Sequence, residues 1–542
     1  MSFAFAAIWP QPLDPLHSIA LSALAAAIPL AIVLVLMGIL RTGGLLASAC
    51  GLLSAAGLAL GIWRMPIQLA LWSAAYGVLF AAWSIMWIVF NALWLYNLSV
   101  ETGSFELLRR WMEQHASRDA CIQAILVAFS FGALLEGSAG FGAPVAVTAF
   151  LLVGLGFERH RAVTISLIAN TAPVAFGALG VPIIALAGVT GLDLMKLSAM
   201  VGRQLPILSL ILPAYLAWVV AGRDGLRRSW GAALVAGSSF AVAQFVVSNV
   251  WGPFVTDIIA ALVSIAAVTA FVHVRRRGAE SAQSQMVSAT SDNPGVTSVS
   301  WRDGFTAWLP WTVLSLVMLL WSHLKLFQRG QLAIHIPQLH NGVLITLYEK
   351  PYSAVYNFQP LASGTAVLVA TVVTALFIRA TPTVFVRCGI RAFRQTALPG
   401  LTVLAIVALA YLFNYSGMAF TLGAAVATAG SLFPFLSSFL GWVACFLSGS
   451  DTSSNLLFGN LQVAAAHKLH LSEVLLAATN SSGAVTGKMI SPQNIAVGVT
   501  TVGLIGHEGE VLHRTFWHSV LLAALLGAIA LAQAYWLRGM VP

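Results

Sequence analysis

Apolar stretches of 18 or more residues recur from one end of this 542-residue chain to the other. Each is long enough to cross the roughly 30 Å of hydrocarbon in a bilayer as one helix. Backbone N–H and C=O groups meet no water in that slab, so such runs must fold as helices packed side by side. Composition agrees. Hydrophobic residues make up 59% of the chain, charged residues only 8%, and the mean hydropathy is +0.88, whereas a soluble domain carries about 25% charged residues. The chain reads as an all-α polytopic membrane protein whose bundle is one unit.

The net charge of +9 would suit nucleic acid in a soluble protein, but basic loops on one face of a membrane explain it better, and no nucleic-acid partner is expected. Cys50, Cys121, Cys388 and Cys445 are scattered without a CxxC pattern, so neither a disulfide framework nor a metal site is indicated. The first 17 residues hold no Lys or Arg, which argues against a cleavable signal peptide and makes Leu16–Leu40 a first span.

Candidate spans fall at 18–40, 43–62, 69–97, 160–186, 200–220, 229–251, 253–273, 305–324, 361–378, 397–413, 473–503 and 513–537. Two more apolar regions, 121–156 and 437–466, are each split by a Gly/Ser-rich centre. Gly278–Ser300, rich in Ser, Gln, Thr and Asn, follows Arg275–Arg277 and reads as a linker between two halves. Those halves share an order of parts: three spans, a lateral segment, a split hairpin, a span interrupted at Asn, a final span. Gly137 to Asn170 is 33 positions and Gly449 to Asn480 is 31. Agreement of five parts in order indicates a repeat. The expected units are residues 1–228, an extra helix pair with the linker at 229–302, and residues 303–542.

Parity sets the relation between the units. If each split region is a re-entrant hairpin, the first unit and the extra pair cross seven times, so the second unit enters from the opposite face. Charge supports this inversion. With the Arg275 loop inside, 18 basic residues lie inside and seven outside, and both termini fall outside. The expected architecture is therefore two inverted repeats of about 12 spanning helices, two re-entrant hairpins and interrupted helices at the midplane.

The stretch "CFLSGSDTSSNLLFGNL", Cys445–Leu461, places a carboxylate and a row of hydroxyls inside an apolar region. Irregular polar backbone at membrane depth persists only where protein or a water-filled cavity satisfies it. Inverted-repeat transporters build midplane sites from such breaks, where half-helix N-termini attract anions. "EGSAGFGAP" and "GSDTSSN" read as hairpin tips, and "ANTAPVAFG" and "TNSSGAVTG" as paired breaks opposite them. Gly137, Gly140, Gly142, Gly449 and Gly483 permit tight turns or close approach, and Pro144, Pro173 and Pro492 start or stop half-helices. Ser138, Gly140, Asn170, Thr171, Ser450, Thr452, Ser453, Asn480, Ser481 and Ser482 are candidate ligands for a small carboxylate and its hydroxyl. Small residues also simply let helices pack closely; the symmetric placing of four motifs favours a site.

Intramembrane ionisable residues are functional candidates by default. Glu136 and Asp451 mark the two tips, and Lys488 follows the second break. Lys488 is the expected counter-charge for the substrate carboxylate. Asp451 is expected beside Lys488 and assigned the coupling proton, with Glu136, which has no basic residue in its own motif, as the second choice. An Asp451–Lys488 pair that only locks the fold is the competing reading. Arg203 is read as snorkelling to an interface, Asp257 as structural, and His467 and His470 as loop residues lacking a third metal ligand. Neither a metal nor a cofactor is expected.

"FGALLEGSAGFGAPVAV", "IANTAPVAFGALGVPI", "SGSDTSSNLLFGNLQ" and "ATNSSGAVTGKMISPQNIAVG" resemble the bacterial L-lactate permease family, and the span pattern fits over nearly the whole chain. The resemblance implies proton symport of L-lactate, often with D-lactate and glycolate, across the bacterial inner membrane; residue patterns by themselves implied a small-anion transporter. Alternatives stay open. A sodium-coupled carboxylate transporter would share the architecture, and a passive channel is disfavoured by paired hairpins. A polytopic membrane enzyme would need a convergent nucleophile–base or metal group, and no His falls at an expected break. Homo-oligomerisation is left open.

Overall fold

A computed structural model of the chain describes residues 8–36, 40, 42–115, 119–138, 140, 143–283, 301–504 and 507–542. Arg41, Arg118, Gly142 and the expected linker beyond Gln283 lie outside these residues.

The chain begins with β1 (Trp9–Pro10), then α1 (Ile19–Leu34), α2 (Gly44–Gly61), α3 (Ile67–Phe80) and α4 (Trp87–Glu101), the last two joined through a π-helical turn at Ala81–Met86. α5 (Ser104–His115) is far more charged than the helices before it, whose one charged residue is Glu101. Asp119 then caps α6 (Ala120–Gln123), accepting from the Cys121 and Ile122 amides. A π-helical stretch leads into α7 (Gly132–Ser138), and α8 (Ala143–Gly154) packs back against it.

α9 (Arg159–Ala169) and α10 (Gly177–Thr190) form a bent pair, turned by 67° across their break. Pro173 offers no N–H to continue α9. Immediately beyond, Ala178, Leu179 and Gly180 all hold left-handed backbone (φ 45°, 61° and 76°), which for Ala and Leu is strained and is kept only where packing enforces it. α11 (Leu194–Val250) doubles back at Ala221 and Gly222, so the spans expected at 200–220 and 229–251 are its two arms. α12 (Thr256–Gln283) lies along it and takes up the start of the expected linker as far as Gln283.

After α13 (Trp301–His323) come four short strands: β2 (Leu332–His335), β3 (Val343–Ile345), β4 (Lys350–Pro351) and β5 (Val355–Phe358). β2 pairs antiparallel with β5, β3 antiparallel with β4, and β1 joins parallel to β3. The molecule is thus predominantly rather than wholly helical, a correction to the all-α expectation. Strands of two to four residues leave no periodic signal in the sequence.

α14 (Ser363–Phe377), α15 (Pro382–Ser416) and α16 (Met418–Val426) precede α17 (Phe433–Ser448) and α18 (Asp451–Lys468), which meet at Gly449 (φ 72°) with the Ser450 hydroxyl capping α18. α19 (Glu473–Lys488), α20 (Pro492–Thr501) and α21 (Glu508–Tyr535) complete the chain. The second break is displaced from its expected place. α19 runs unbroken through Asn480–Gly487, and the interruption falls at Met489–Ser491, where Pro492 restarts the helix under the Ser491 cap. Gly483 serves packing instead of turning: a Cβ there would meet the Ser438 carbonyl oxygen at 2.1 Å, so α17 and α19 touch backbone to backbone.

Among the described residues, eight helices are long and apolar enough to cross a membrane, or nine with the bent pair, against about 12 expected. The difference lies in length. α1, α14 and the Thr306–Trp321 part of α13 are shorter apolar helices, and α11 counts once although it folds back on itself. This is a multi-pass membrane protein.

Candidate functional site

Three helix ends converge on one ion pair. Glu136, third from the end of α7, is 3% exposed, and its Oε1 accepts from the Lys488 ammonium at 2.8 Å. Lys488 is the last residue of α19 and is 7% exposed. Asn170, which ends α9, donates its Nδ2 to Glu136 Oε2 at 2.9 Å. Gly177 at the start of α10 closes the fourth side: a Cβ there would lie 2.6 Å from Glu136 Oε1. Both carboxylate oxygens are thereby satisfied, as a buried ion requires. The expected partner of Lys488 is corrected: among the described residues it pairs with Glu136 and forms no ion pair with Asp451. Glu136 does have a cation, contributed from the other half of the sequence.

Asp451 heads α18 at 3% exposure. Its Oδ2 accepts from the Ser481 hydroxyl at 2.9 Å, while Oδ1 has no hydrogen-bond partner among the described residues. Ser481 also accepts from Asn455 Nδ2 (3.1 Å), which donates to the Pro182 carbonyl as well (3.1 Å) and so ties α18 to α10. Asn480 donates to Asn455 Oδ1 at 3.0 Å and accepts from Gln462 at 3.2 Å. The Asn494 amide on α20 reaches the Gly449 carbonyl at 3.0 Å, holding the α17–α18 tip against the second break.

The remaining candidates divide. Thr171 is buried with its hydroxyl unpartnered among the described residues and adjoins Asn170. Ser450, Thr452 and Ser453 are half-buried at the start of α18, with Ser450 spent on its cap. Gly140 has left-handed backbone, and a Cβ there would sit 3.7 Å from Glu136 Oε1. Two point elsewhere. The Ser138 hydroxyl bonds back to the Leu134 carbonyl (2.8 Å), and Ser482 donates to Gln204 Oε1 (2.6 Å) on α11. Asn455, Gln462, Gln204 and Gln244 escaped the sequence reading; amides inside apolar helices were the available signal.

Two cavities have linings that do not include Glu136, Asp451 or Lys488. One of about 250 Å³ lies beside the second break, against Ile490, Pro492 and Gln493. Another of about 400 Å³ is lined by Tyr76, Trp83, Gly188, Tyr356 and Tyr411. His467 pairs with Glu473 at an exposed position (3.2 Å). Away from the cluster, His160, His507 and Glu510 bring ligand atoms within 4.8 Å of one another; the hydrogen bond from His507 holds the exposed Glu510 carboxyl below its usual value.

Residues 22–537 match the family described as L-lactate permease. The chain belongs to the L-lactate permease family. It is 43% identical to the glycolate permease GlcA of Escherichia coli K12, over 98% of this chain and 99% of that one. It is 40% identical to the L-lactate permease of Salmonella typhimurium LT2, over 99% of this chain and 100% of that one. Among solved structures, the Alcanivorax borkumensis YdaH transporter aligns over 98% of this chain and 100% of that one, with a TM-score of 0.46 and 13% identity. In this L-lactate permease family member, then, three of the four motifs that carried the resemblance meet at the Glu136–Lys488 pair, and the fourth is tied to them through the Asp451–Ser481 bond.

Proposed function

We propose that this protein imports L-lactate, with D-lactate and glycolate, by proton symport across the bacterial inner membrane. The observation that carries the reading is the buried Glu136–Lys488 pair at the ends of interrupted helices, in a chain whose relatives are named for lactate and glycolate. A buried ammonium held by one carboxylate can exchange it for a substrate carboxylate without ever being left bare. Lys488 is the substrate counter-charge. Asn170, Thr171, Ser450, Thr452, Ser453, Asn480 and Ser481 offer neutral hydrogen bonds around it, and Asp451 and Glu136 are the carboxylates that exchange the proton. Ser138, Gly140 and Ser482 shape the surroundings.

The architecture we propose is two inverted repeats of about 12 spans, with re-entrant hairpins at 121–156 and 437–466 that change access from one side to the other. No cofactor takes part, and the protein is a transporter rather than an enzyme.

Uptake of labelled lactate into proteoliposomes under an imposed pH gradient tests this reading. Unlabelled glycolate should compete and succinate should not. Uptake that follows a sodium gradient and ignores the pH gradient would assign the protein to sodium-coupled carboxylate transport instead.

A further inference from the structure

Asp257 stands in the first turn of α12. Its side chain is 1% exposed, and neither carboxylate oxygen has a hydrogen-bond partner among the described residues. A carboxylate there would suit a helix cap, but Asp257 does not act as one. The neighbouring Thr256 hydroxyl bonds the Gly252 carbonyl (2.8 Å), and the Ile259 amide goes to the Val255 carbonyl (3.0 Å). Gln244 on α11 is the polar side chain beside it: one Nε2 hydrogen goes to the Ala172 carbonyl (3.2 Å), Oε1 accepts from Ser209 (2.8 Å), and the second Nε2 hydrogen is left to face Asp257. For packing alone an apolar residue would serve at lower cost.

Its position supplies the second observation. A Cβ on Gly137 would lie 2.9 Å from the Asp257 Cβ, so Asp257 is pressed against the turn of α7 that carries Glu136. The charged groups that face it are Glu136 from α7 and Lys488 from the end of α19. Glu136 is already paired with that lysine, and Asp451 is already bonded to Ser481. Of the three buried carboxyl groups, Asp257 is the one with neither oxygen at hydrogen-bond length from a partner among the described residues.

We propose that Asp257 holds the co-transported proton while the substrate crosses. Its carboxylate takes a proton from water on the entry side and becomes a neutral acid that needs no counter-ion. When the substrate carboxylate takes over the Lys488 ammonium, Glu136 loses its cation, and the Asp257 O–H is the donor that faces it. On the exit side the proton returns to water. The anion left behind is met by the positive end of the α12 dipole, while Lys488 returns to Glu136. Proton and substrate charges cancel, so the loaded and empty carriers have the same net charge.

This inference rests on the proton-symport reading and moves the proton's place during the crossing from the Asp451 and Glu136 carboxylates to Asp257. In proteoliposomes Asp257→Asn should accumulate lactate under a pH gradient at least about tenfold less than wild type, yet exchange internal for external lactate within about twofold. Exchange marks a folded carrier with a working substrate site. Asp257→Glu should restore accumulation with its pH dependence displaced. Asp257→Asn accumulating lactate as wild type does would overturn the proposal. So would loss of exchange alongside accumulation combined with an unshifted pH profile in Asp257→Glu. Wild type that ignores the pH gradient would instead refute proton symport itself.

Discussion

Lys488 reaches Glu136 across 352 positions of sequence, at 2.8 Å, with both side chains withdrawn from solvent. Removing one member of such a pair strands the other, which costs about 3–5 kcal/mol. Lys488→Ala should therefore lower stability as well as raise the apparent Km for lactate at least about tenfold. The double variant Glu136→Gln with Lys488→Met separates the two effects. It removes both charges, so the melting temperature in detergent should recover toward wild type while lactate binding does not return. Full recovery of transport in the double variant would reduce the pair to a structural lock. Sequence exposed the three intramembrane charges because such residues are rare in apolar helices. It could not reveal which of them meet. Lys488 lies in the same half as Asp451, and proximity in sequence suggested that pairing; the bend after Asn170 and the end of α19 bring Glu136 to it instead.

Helix breaks were readable where proline or glycine forces them and misplaced where polarity alone suggested them. Pro173 ends α9 as expected, and Gly449 turns α17 into α18. "TNSSG" looked like a break because of its hydroxyls, yet Asn480, Ser481 and Ser482 satisfy their side chains across to α18 and α11, leaving the α19 backbone ladder intact. Its glycine is there for contact with α17. Gly483→Ala places a methyl group against the Ser438 carbonyl and should destabilise the protein by about 1–3 kcal/mol. Gly57→Ala on α2, where a Cβ would meet nothing within 4 Å, should change stability by no more than about 0.5–1 kcal/mol, in the stabilising direction. Thermal unfolding in detergent compares the two, and equal effects would contradict the contact. The α17–α18 and α7–α8 tips make a second prediction at this scale. Single cysteines at Ser450 and Ser138 should label from opposite sides of the membrane. Labelling of both from one side under every condition would remove the inverted hairpins.

Across the whole molecule, multi-pass helical character and family were legible from apolar runs and four motifs, because both depend on local sequence. The strand cap joining Trp9–Pro10 to Val343–Ile345 was not, since its register is set by contacts between distant segments. The isolation of Asp257 was hidden for the same reason: only the packed neighbours show that, among the described residues, neither of its oxygens has a partner at hydrogen-bond length. What unites the parts in the proposed reading is a charge balance among Lys488, Glu136, Asp451 and Asp257, by which a substrate anion would be accompanied by a proton. The most direct measurement is the steady-state lactate accumulation ratio in proteoliposomes, with the pH gradient and the membrane potential imposed separately. The account predicts a ratio that rises with the pH gradient, about tenfold per unit for one proton per lactate, and does not respond to potential. A ratio that follows the potential, or needs sodium and ignores pH, would contradict it.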